Sequence, residues 1–151
     1  MKLLGDEGVS LKVYVLDASI AVRFLLAEDL SEKAELVLED FLKGKLDLLS
    51  PELLVYEVGN TLWKSIKKGF IGLDEALKKF SYFLELKIPS ITLRVEDYRE
   101  ALRWSVKNNA TYYDSIYIWS YLKVGGTLLT ADNVLYNESR ETVPTVYLKD
   151  Y

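Results

Sequence analysis

The 151-residue chain contains no cysteine and no histidine. Without these residues it cannot form a disulfide, a Cys/His zinc site, a Ser-His-Asp or Cys-His nucleophile, or a histidine general base. Any chemistry must therefore use carboxylate, hydroxyl, amide, lysine and arginine groups. Because carboxylate oxygens prefer hard cations, a metal cofactor in this chain should be Mg²⁺ or Mn²⁺.

Long apolar runs are missing too. No run approaches the ~18 residues of a membrane-spanning helix, and Gly5-Asp6-Glu7 interrupts the apolar start of the chain before a signal sequence can form. We therefore expect no membrane partner and a cytoplasmic location. The length predicts one domain over residues 1–151, with residues 1–11, which show no periodicity, as a loose N-terminal extension.

The charge balance is slightly acidic, with 19 basic and 23 acidic residues and a net charge of −4. If four carboxylates gather in one site, the remaining charges cancel and leave one acidic pocket on a near-neutral surface. Such a pocket favours cations and disfavours nucleic acid unless bound cations reverse the local charge. The chain also lacks G-x-G-x-x-G and G-K-[ST], which excludes dinucleotide and P-loop sites.

Short apolar segments rich in β-favouring residues alternate with helical patterns along the chain. They predict strands over residues 13–16, 46–49, 90–93, 127–130 and 144–147. Strands separated by helices favour parallel pairing with helices on both faces of one sheet. The sequence therefore predicts an α/β fold, with the last strand at an edge because Pro144 costs least there.

Several helix features follow from the same patterns. Ser31 is expected to cap one helix and Ser50-Pro51 to open the next. The helix that stops at Asn108-Asn109 is expected to turn five residues inward: Tyr98, Ala101, Leu102, Ser105 and Val106. The segment from Tyr112 to Val124 is apolar nearly all round, which is typical of a central, buried helix.

Four acidic residues fall where such a fold would bring them together. Asp17 follows the first strand, Glu57 lies inside the helix after the second, Asp114 opens the central helix, and Asp132 follows the fourth strand. The three aspartates could each be ordinary helix caps or first-turn charges. Glu57 cannot cap a helix interior, and Lys64 is its candidate ion-pair partner. A half-buried carboxylate without a partner is costly, which favours a catalytic or metal-binding role for Glu57.

Four motifs in order resemble those of PIN domains, most closely the VapC-type toxins of prokaryotic toxin–antitoxin pairs. They are Asp17-Ala18-Ser19, Glu57-Val58-Gly59-Asn60, Tyr113-Asp114-Ser115 and Thr130-Ala131-Asp132, within residues 12–147. The resemblance implies a three-layer α/β/α fold whose five-stranded parallel sheet has the first strand at its centre. It also implies Mg²⁺- or Mn²⁺-dependent endoribonuclease activity, homodimerisation and inhibition by a small antitoxin protein.

The resemblance also implies roles for individual residues. Asp17 and Asp114 would be the principal metal ligands, Glu57 and Asp132 would complete the cluster, and Ser19, Asn60 and Thr130 would support it. Asn133 stands where many relatives carry a further acid, which leaves open whether one or two metal ions act.

These groups suggest that metal-activated water attacks an RNA phosphodiester. Arg23 and Lys64 are candidates to bind its phosphates, and Tyr112 and Tyr113 to stack on its bases. The alternative is a PIN-like protein-binding or scaffold module with little or no nuclease activity, since 11 tyrosines and 3 tryptophans could serve large interfaces.

Overall fold

The computed structural model describes residues 11–151, whose strands form one five-stranded, all-parallel sheet in the order β3-β2-β1-β4-β5. The strands are β1 (Lys12–Leu16), β2 (Leu46–Pro51), β3 (Ser90–Ile91), β4 (Thr127–Thr130) and β5 (Thr145–Tyr147). The helices are α1 (Ala18–Arg23), α2 (Ser31–Leu42), α3 (Leu53–Lys67), α4 (Leu73–Glu85), α5 (Val95–Asn108), α6 (Tyr112–Val124) and α7 (Asn133–Ser139), followed by a 3₁₀ turn at Leu148–Asp150. The predicted α/β class, the five strands and the central position of β1 are confirmed.

Helices cover both faces of the sheet because side chains alternate along its buried strands. Tyr14 and Leu16 of β1 pack into one core with α1 to α4, while Val15 between them packs into a second core with α5 to α7. The fold thus has the three layers that the sequence predicts. Residues 1–10 of the expected N-terminal extension lie outside the described residues, and within residues 11–151 no helix is long and apolar enough to cross a membrane.

Two of the expected helix starts are wrong. Leu30 is the N-cap of α2, and the Ser31 hydroxyl accepts a hydrogen bond from the Glu28 N–H instead of capping the helix. Ser50 and Pro51 belong to β2, and α3 begins at Leu53. Because β2 continues through Pro51, the Ser50 hydroxyl is buried and donates to the carbonyl of Leu16 on the neighbouring strand, at 2.9 Å.

The expected inward face of α5 is also partly wrong. Ala101 and Ser105 are buried, whereas Tyr98, Leu102 and Val106 are exposed. The small side chains face α6, where Trp104 and Trp119 meet edge to face with ring centroids 6.4 Å apart. The third strand is shorter than expected as well, since only Ser90 and Ile91 pair with β2.

The turn into β4 requires a glycine. Gly126 has a φ of 86°, and a Cβ there would lie 2.4 Å from the Val13 carbonyl oxygen of β1. This close approach lets β4 pair with β1 from Thr127 onward. It therefore fixes where β4 ends, and with it the position of Thr130 and Asp132.

Candidate active site

Asp17 lies where β1 ends, at the carboxyl edge of the sheet, and is only 5% exposed. It occupies the N-cap position of α1, yet its side chain accepts no capping hydrogen bond from that helix. Instead the Ser19 hydroxyl donates to Oδ1 at 2.6 Å and the Thr130 hydroxyl donates to Oδ2 at 2.9 Å. Since both carboxylate oxygens act as acceptors, this arrangement suits the ionised form.

The two hydroxyl groups are themselves fixed by the chain that follows β4. The backbone N–H of Ala131 donates to Ser19 Oγ at 2.7 Å, and that of Asp132 donates to Thr130 Oγ1 at 3.0 Å. Ser19 and Thr130 thus bridge the ends of the adjacent strands β1 and β4. This network orients the Asp17 carboxylate and draws the Asp132 segment towards it.

Glu57 projects from α3, and its carboxylate is held from the other side by α6. The hydroxyl of the buried Tyr117 donates to Glu57 Oε1 at 2.5 Å. The alternative role of Glu57, an ion pair with Lys64, is not among the salt bridges of the described residues. In the same part of the chain no hydrogen-bond donor reaches Oε2, so this oxygen is free for a ligand or a water molecule.

Asp114 lies in the first turn of α6, but the capping role belongs to Thr111, whose Oγ1 accepts from the Asp114 N–H at 3.1 Å. Its half-buried side chain faces Glu138 of α7 closely enough for a proton to be shared between the two carboxyl groups. When both are ionised no donor lies between them, and Glu138 Oε1 is buried without a hydrogen-bond partner. The pair therefore carries more negative charge than its protein surroundings neutralise.

Asp132 is the one predicted acid with a clear structural role. It is the N-cap of α7, and its Oδ1 accepts a hydrogen bond from the Val134 N–H at 2.8 Å. The carboxylate is also near enough to raise the pKa of Asp17 and of Asp114 by repulsion. Capping uses one of its oxygens and leaves the negative charge facing the other acids.

Burial and mutual repulsion determine the protonation of this cluster in the absence of a cation. Burial raises the pKa of Asp17 to about 7, although the two hydroxyl bonds oppose the shift and the charges of Asp132 and Glu57 reinforce it. Burial is also the main cause that raises the pKa of Glu57 and of Asp114, with neighbouring carboxylates adding to it. Burial and the adjacent Asp114 carboxylate raise the pKa of Glu138 to about 8. Ionising all of these groups together is unfavourable unless positive charge is supplied.

The donor set fits a hard divalent cation. All its side-chain groups are carboxylate or hydroxyl oxygens, and one buried oxygen of Glu138 has no partner. Among residues 11–151, however, no three acidic side chains converge as the ligands of one ion. Asp114 and Glu138 face each other, and a site of one or two carboxylates suits Mg²⁺, which commonly keeps several waters.

A groove of about 420 Å³ leads to Glu57 and passes between α3 and the start of α6. Asn60 and Lys64 line it, so both predicted residues lie beside the acidic cluster. Arg23 is engaged elsewhere: its guanidinium donates to the carbonyls of Ser19 and Asp29 and pairs with the Asp29 carboxylate at 2.9 Å. Its role in phosphate binding stays a prediction that these contacts do not favour.

Sequence reasoning missed two residues of the site, Tyr117 and Glu138. Tyr117 belongs to the apolar pattern of α6, and nothing in that pattern distinguishes its hydroxyl from those of the other tyrosines. Glu138 carried a signal, because it lies in the last turn of α7, where the helix dipole disfavours a negative charge. Since the last turn of α7 has no basic residue to offset this charge, Glu138 does not stabilise the helix, which indicates a function elsewhere.

Comparisons with known proteins agree with this architecture. The sequence profile of the PIN domain matches residues 14–139. A curated protein of Pyrobaculum aerophilum, ribonuclease VapC3, is 33% identical over 125 residues, which cover 80% of this chain and 90% of that protein. Exonuclease VapC9 of the same organism is 29% identical over 109 residues, which cover 70% of this chain and 77% of the relative.

The structural comparison gives the same fold. The crystal structure of PAE2754 from Pyrobaculum aerophilum superposes with a TM-score of 0.65 and covers 91% of this chain and 92% of that chain, at 24% sequence identity.

Proposed function

The chain belongs to the PIN domain family, and on that premise we propose that it is a ribonuclease that hydrolyses RNA phosphodiesters with the help of Mg²⁺ or Mn²⁺. PIN-domain nucleases generally use divalent metals. The observation that carries the proposal is Asp17, a buried carboxylate held by two hydroxyl donors at the carboxyl edge of the sheet, with Glu57 and Asp132 close enough to repel it. Ligands of open α/β sheets bind at this edge.

Each acid has a distinct part in the proposed reaction. Asp17 and Asp114 would hold the cation, directly or through its bound waters, and Asp132, whose charge acts on both, would add negative charge from the start of α7. A divalent cation in this pocket would supply positive charge against the phosphodiester and make a nearby water more acidic. Glu57 would orient that water and accept its proton through Oε2, because Tyr117 fixes the other oxygen.

The nucleophile in this scheme is water, not the ribose 2′-hydroxyl. The water oxygen bonds to phosphorus, one P–O ester bond breaks in line with it, and the leaving oxygen takes up a proton. One product then ends in a phosphate monoester and the other in a hydroxyl group. A cyclic 2′,3′-phosphate would show instead that the substrate's own hydroxyl attacks, and would contradict the role given to Glu57.

Cleavage of a mixed RNA pool tests the proposal directly. The purified protein is assayed in Mn²⁺, in Mg²⁺ and in EDTA, with Asp114→Asn as the site variant and Asp150→Asn, an exposed aspartate outside the cluster, as the matched control. We expect metal-dependent cleavage that is lost in Asp114→Asn and kept in Asp150→Asn. Equal cleavage by both variants, or cleavage in EDTA, would remove the support for this site.

The mode of cleavage is endonucleolytic in our proposal. The relatives named above include one called a ribonuclease and one called an exonuclease, so the two modes need a direct test. A circular RNA has no ends and is cut only by an endonuclease. Linearised circles with a single cut would support the endonuclease; resistance of the circle beside degradation of the same linear RNA would assign exonuclease activity instead.

We further propose that the chain is the toxin of a VapBC-type pair, acting as a homodimer in the cytoplasm and inhibited by a small antitoxin protein. Helix α5 offers a face for self-association: the exposed Val95, Tyr98, Leu102 and Val106 form an apolar stripe along it. The acidic residues of α5, Glu96, Asp97 and Glu100, all lie in its first half, where Arg99 is the one basic residue, whereas Arg103 and Lys107 lie towards its end. Two antiparallel copies would therefore place opposite charges beside each other.

The scaffold alternative receives support from exposed apolar residues, which could serve as binding surfaces. Besides the stripe on α5, the α3–α4 hairpin exposes Trp63, Phe70, Leu73 and Leu77. A protein whose only task is assembly needs no oriented acidic cluster. The outcome of the cleavage assay separates the two, because a scaffold would bind partners without cutting RNA in either metal.

A further inference from the structure

A second cavity, of about 280 Å³, lies beside the groove that leads to Glu57. Four tyrosines line it: Tyr56 from α3, Tyr98 from α5, and Tyr112 and Tyr113 from the start of α6. Leu53, Tyr56 and Tyr113 line both the cavity and the groove. The two spaces are therefore neighbours that share one wall.

The shared tyrosines are free to take part in binding. Tyr56 is 64% exposed and Tyr113 is 59% exposed, so large parts of both side chains are accessible to a ligand. The Tyr56 hydroxyl donates to Glu52 Oε1 at 3.1 Å, and the Tyr112 hydroxyl donates to the Tyr98 carbonyl at 3.3 Å. These bonds orient two of the four rings without covering them.

The rim of the cavity is polar but contains no positive charge. Besides the tyrosine hydroxyls, its hydrogen-bonding side chains are the carboxylate of Glu52 and the hydroxyls of Ser90, in β3 at the edge of the sheet, and Thr92, just after that strand. None of the residues that line it is lysine or arginine, whereas the adjoining groove has Lys64. A phosphate is therefore repelled from the cavity and favoured in the groove, which leaves the cavity for an uncharged part of the same ligand.

We propose that this cavity binds one unpaired nucleobase of the RNA whose phosphodiester lies at the acidic cluster. The inference rests on the proposed ribonuclease function and adds a base-binding site to it. Aromatic side chains stack on any base, and the acceptor oxygens at the rim can receive the amino groups that bases carry at their edges. The volume is just below the usual range of about 300–1,000 Å³ for ligand sites and suits a single base.

The site is tested by binding in Ca²⁺, a hard divalent cation that offsets the charge of the acidic cluster but supports phosphodiester hydrolysis poorly, so that the result does not depend on cleavage. A fluorescein-labelled single-stranded RNA hexamer is titrated at low salt with the full chain, and the anisotropy is compared with that of hexamers carrying one abasic nucleotide at successive positions. The variants are Tyr113→Leu, which removes the aromatic ring, and Tyr113→Phe, which keeps it. Tyr82→Leu is the matched control, because Tyr82 is an exposed tyrosine of α4 that does not line the cavity.

Loss of one base–aromatic stack should weaken binding about 5- to 150-fold. We expect this loss for Tyr113→Leu with the intact hexamer, near-wild-type binding for Tyr113→Phe and Tyr82→Leu, and a similar loss when one particular base is removed from the RNA bound to wild-type protein. Removing that base should have little further effect on Tyr113→Leu, because ring and base act as one pair.

Four results would overturn the inference: no binding by the wild-type protein, equal weakening by Tyr82→Leu, additive effects of the abasic nucleotide and the variant, or a change of oligomeric state on size-exclusion chromatography caused by Tyr113→Leu. The last would assign the cavity to an interface between copies. Failure of the RNA cleavage assay leaves this binding result intact, so the two proposals fail separately.

Discussion

Replacing Asp17 by asparagine should stabilise the metal-free protein at alkaline pH. Burial raises the pKa of Asp17 from 3.8 to about 7, so the folded state holds a proton that the unfolded state has already released. A carboxyl group with a raised pKa contributes stability below pH 3.8, and this contribution is lost as the pH rises through the folded pKa. Asparagine cannot ionise and therefore escapes this loss.

The structure sets the size of the effect. At about 1.4 kcal/mol per pH unit, a shift from 3.8 to about 7 corresponds to at most about 4 kcal/mol. Between pH 5 and pH 8 the wild-type protein should lose up to about 3 kcal/mol relative to Asp17→Asn. The asparagine amide can be accommodated, because the Thr130 hydroxyl can turn towards Ser19 Oγ, 3.3 Å away, and accept from the new donor.

The assay is urea unfolding in EDTA, followed by tryptophan fluorescence and extrapolated linearly to water. Glu57, Asp114 and Glu138 are present in both proteins, so the difference between the two unfolding free energies isolates Asp17. Addition of Mg²⁺ or Mn²⁺ at pH 8 should narrow the difference: a ligand at about 100 times its Kd stabilises the wild type by about 2.7 kcal/mol and the variant by less. If the unfolding free energies of the wild type and Asp17→Asn differed by the same amount at pH 5 and at pH 8, the reasoning would be refuted.

Three further substitutions test separate features of the fold and site. Tyr117→Phe removes the donor to Glu57 and should lower the unfolding free energy by about 1–3 kcal/mol in urea, with slower RNA cleavage; unchanged cleavage would show that Glu57 does not depend on this bond. Val106→Asp places a charge on the apolar stripe of α5 and should convert a dimer into a monomer in light scattering, whereas the same change at the exposed Val134 of α7 should not; an unchanged mass would assign the interface elsewhere. Gly126→Ala should cost about 2–5 kcal/mol, because its Cβ would meet the Val13 carbonyl oxygen, while Gly72→Ala, with open space around its Cβ, should cost far less; similar losses would contradict the close approach.

Local signals sufficed to predict the sheet and the acids around it. The apolar run before Asp17 and the helical pattern after it predict where β1 ends and α1 begins. The helix from Tyr112 to Val124 was predicted with the bounds that the structure gives. The same holds for Asp132, which starts α7 as expected. Each of these features depends on residues that are close together in the sequence, so a local pattern is enough to predict it.

Features that depend on distant contacts could not be predicted in this way. The apolar pattern of α5 includes both Ala101 and Leu102, and sequence alone does not show that the small residue faces inward. The bond from Tyr117 to Glu57 joins residues that are 60 positions apart. The approach of Glu138 to Asp114 likewise depends on how α7 packs beside α6.

The contacts of the acids bear on whether they serve the fold or a ligand. Asp17 stands at a helix start without capping it, Glu57 forms no ion pair within the described residues, and Thr111, not Asp114, caps α6. Only Asp132 of the four predicted acids carries out the structural role that its position suggests. Since burying the other three raises their pKa values, they destabilise the metal-free fold at neutral pH when ionised. A structural role leaves that cost unexplained, whereas a divalent cation offsets it, which is why the stability of Asp17→Asn with and without metal bears on function as well as on folding.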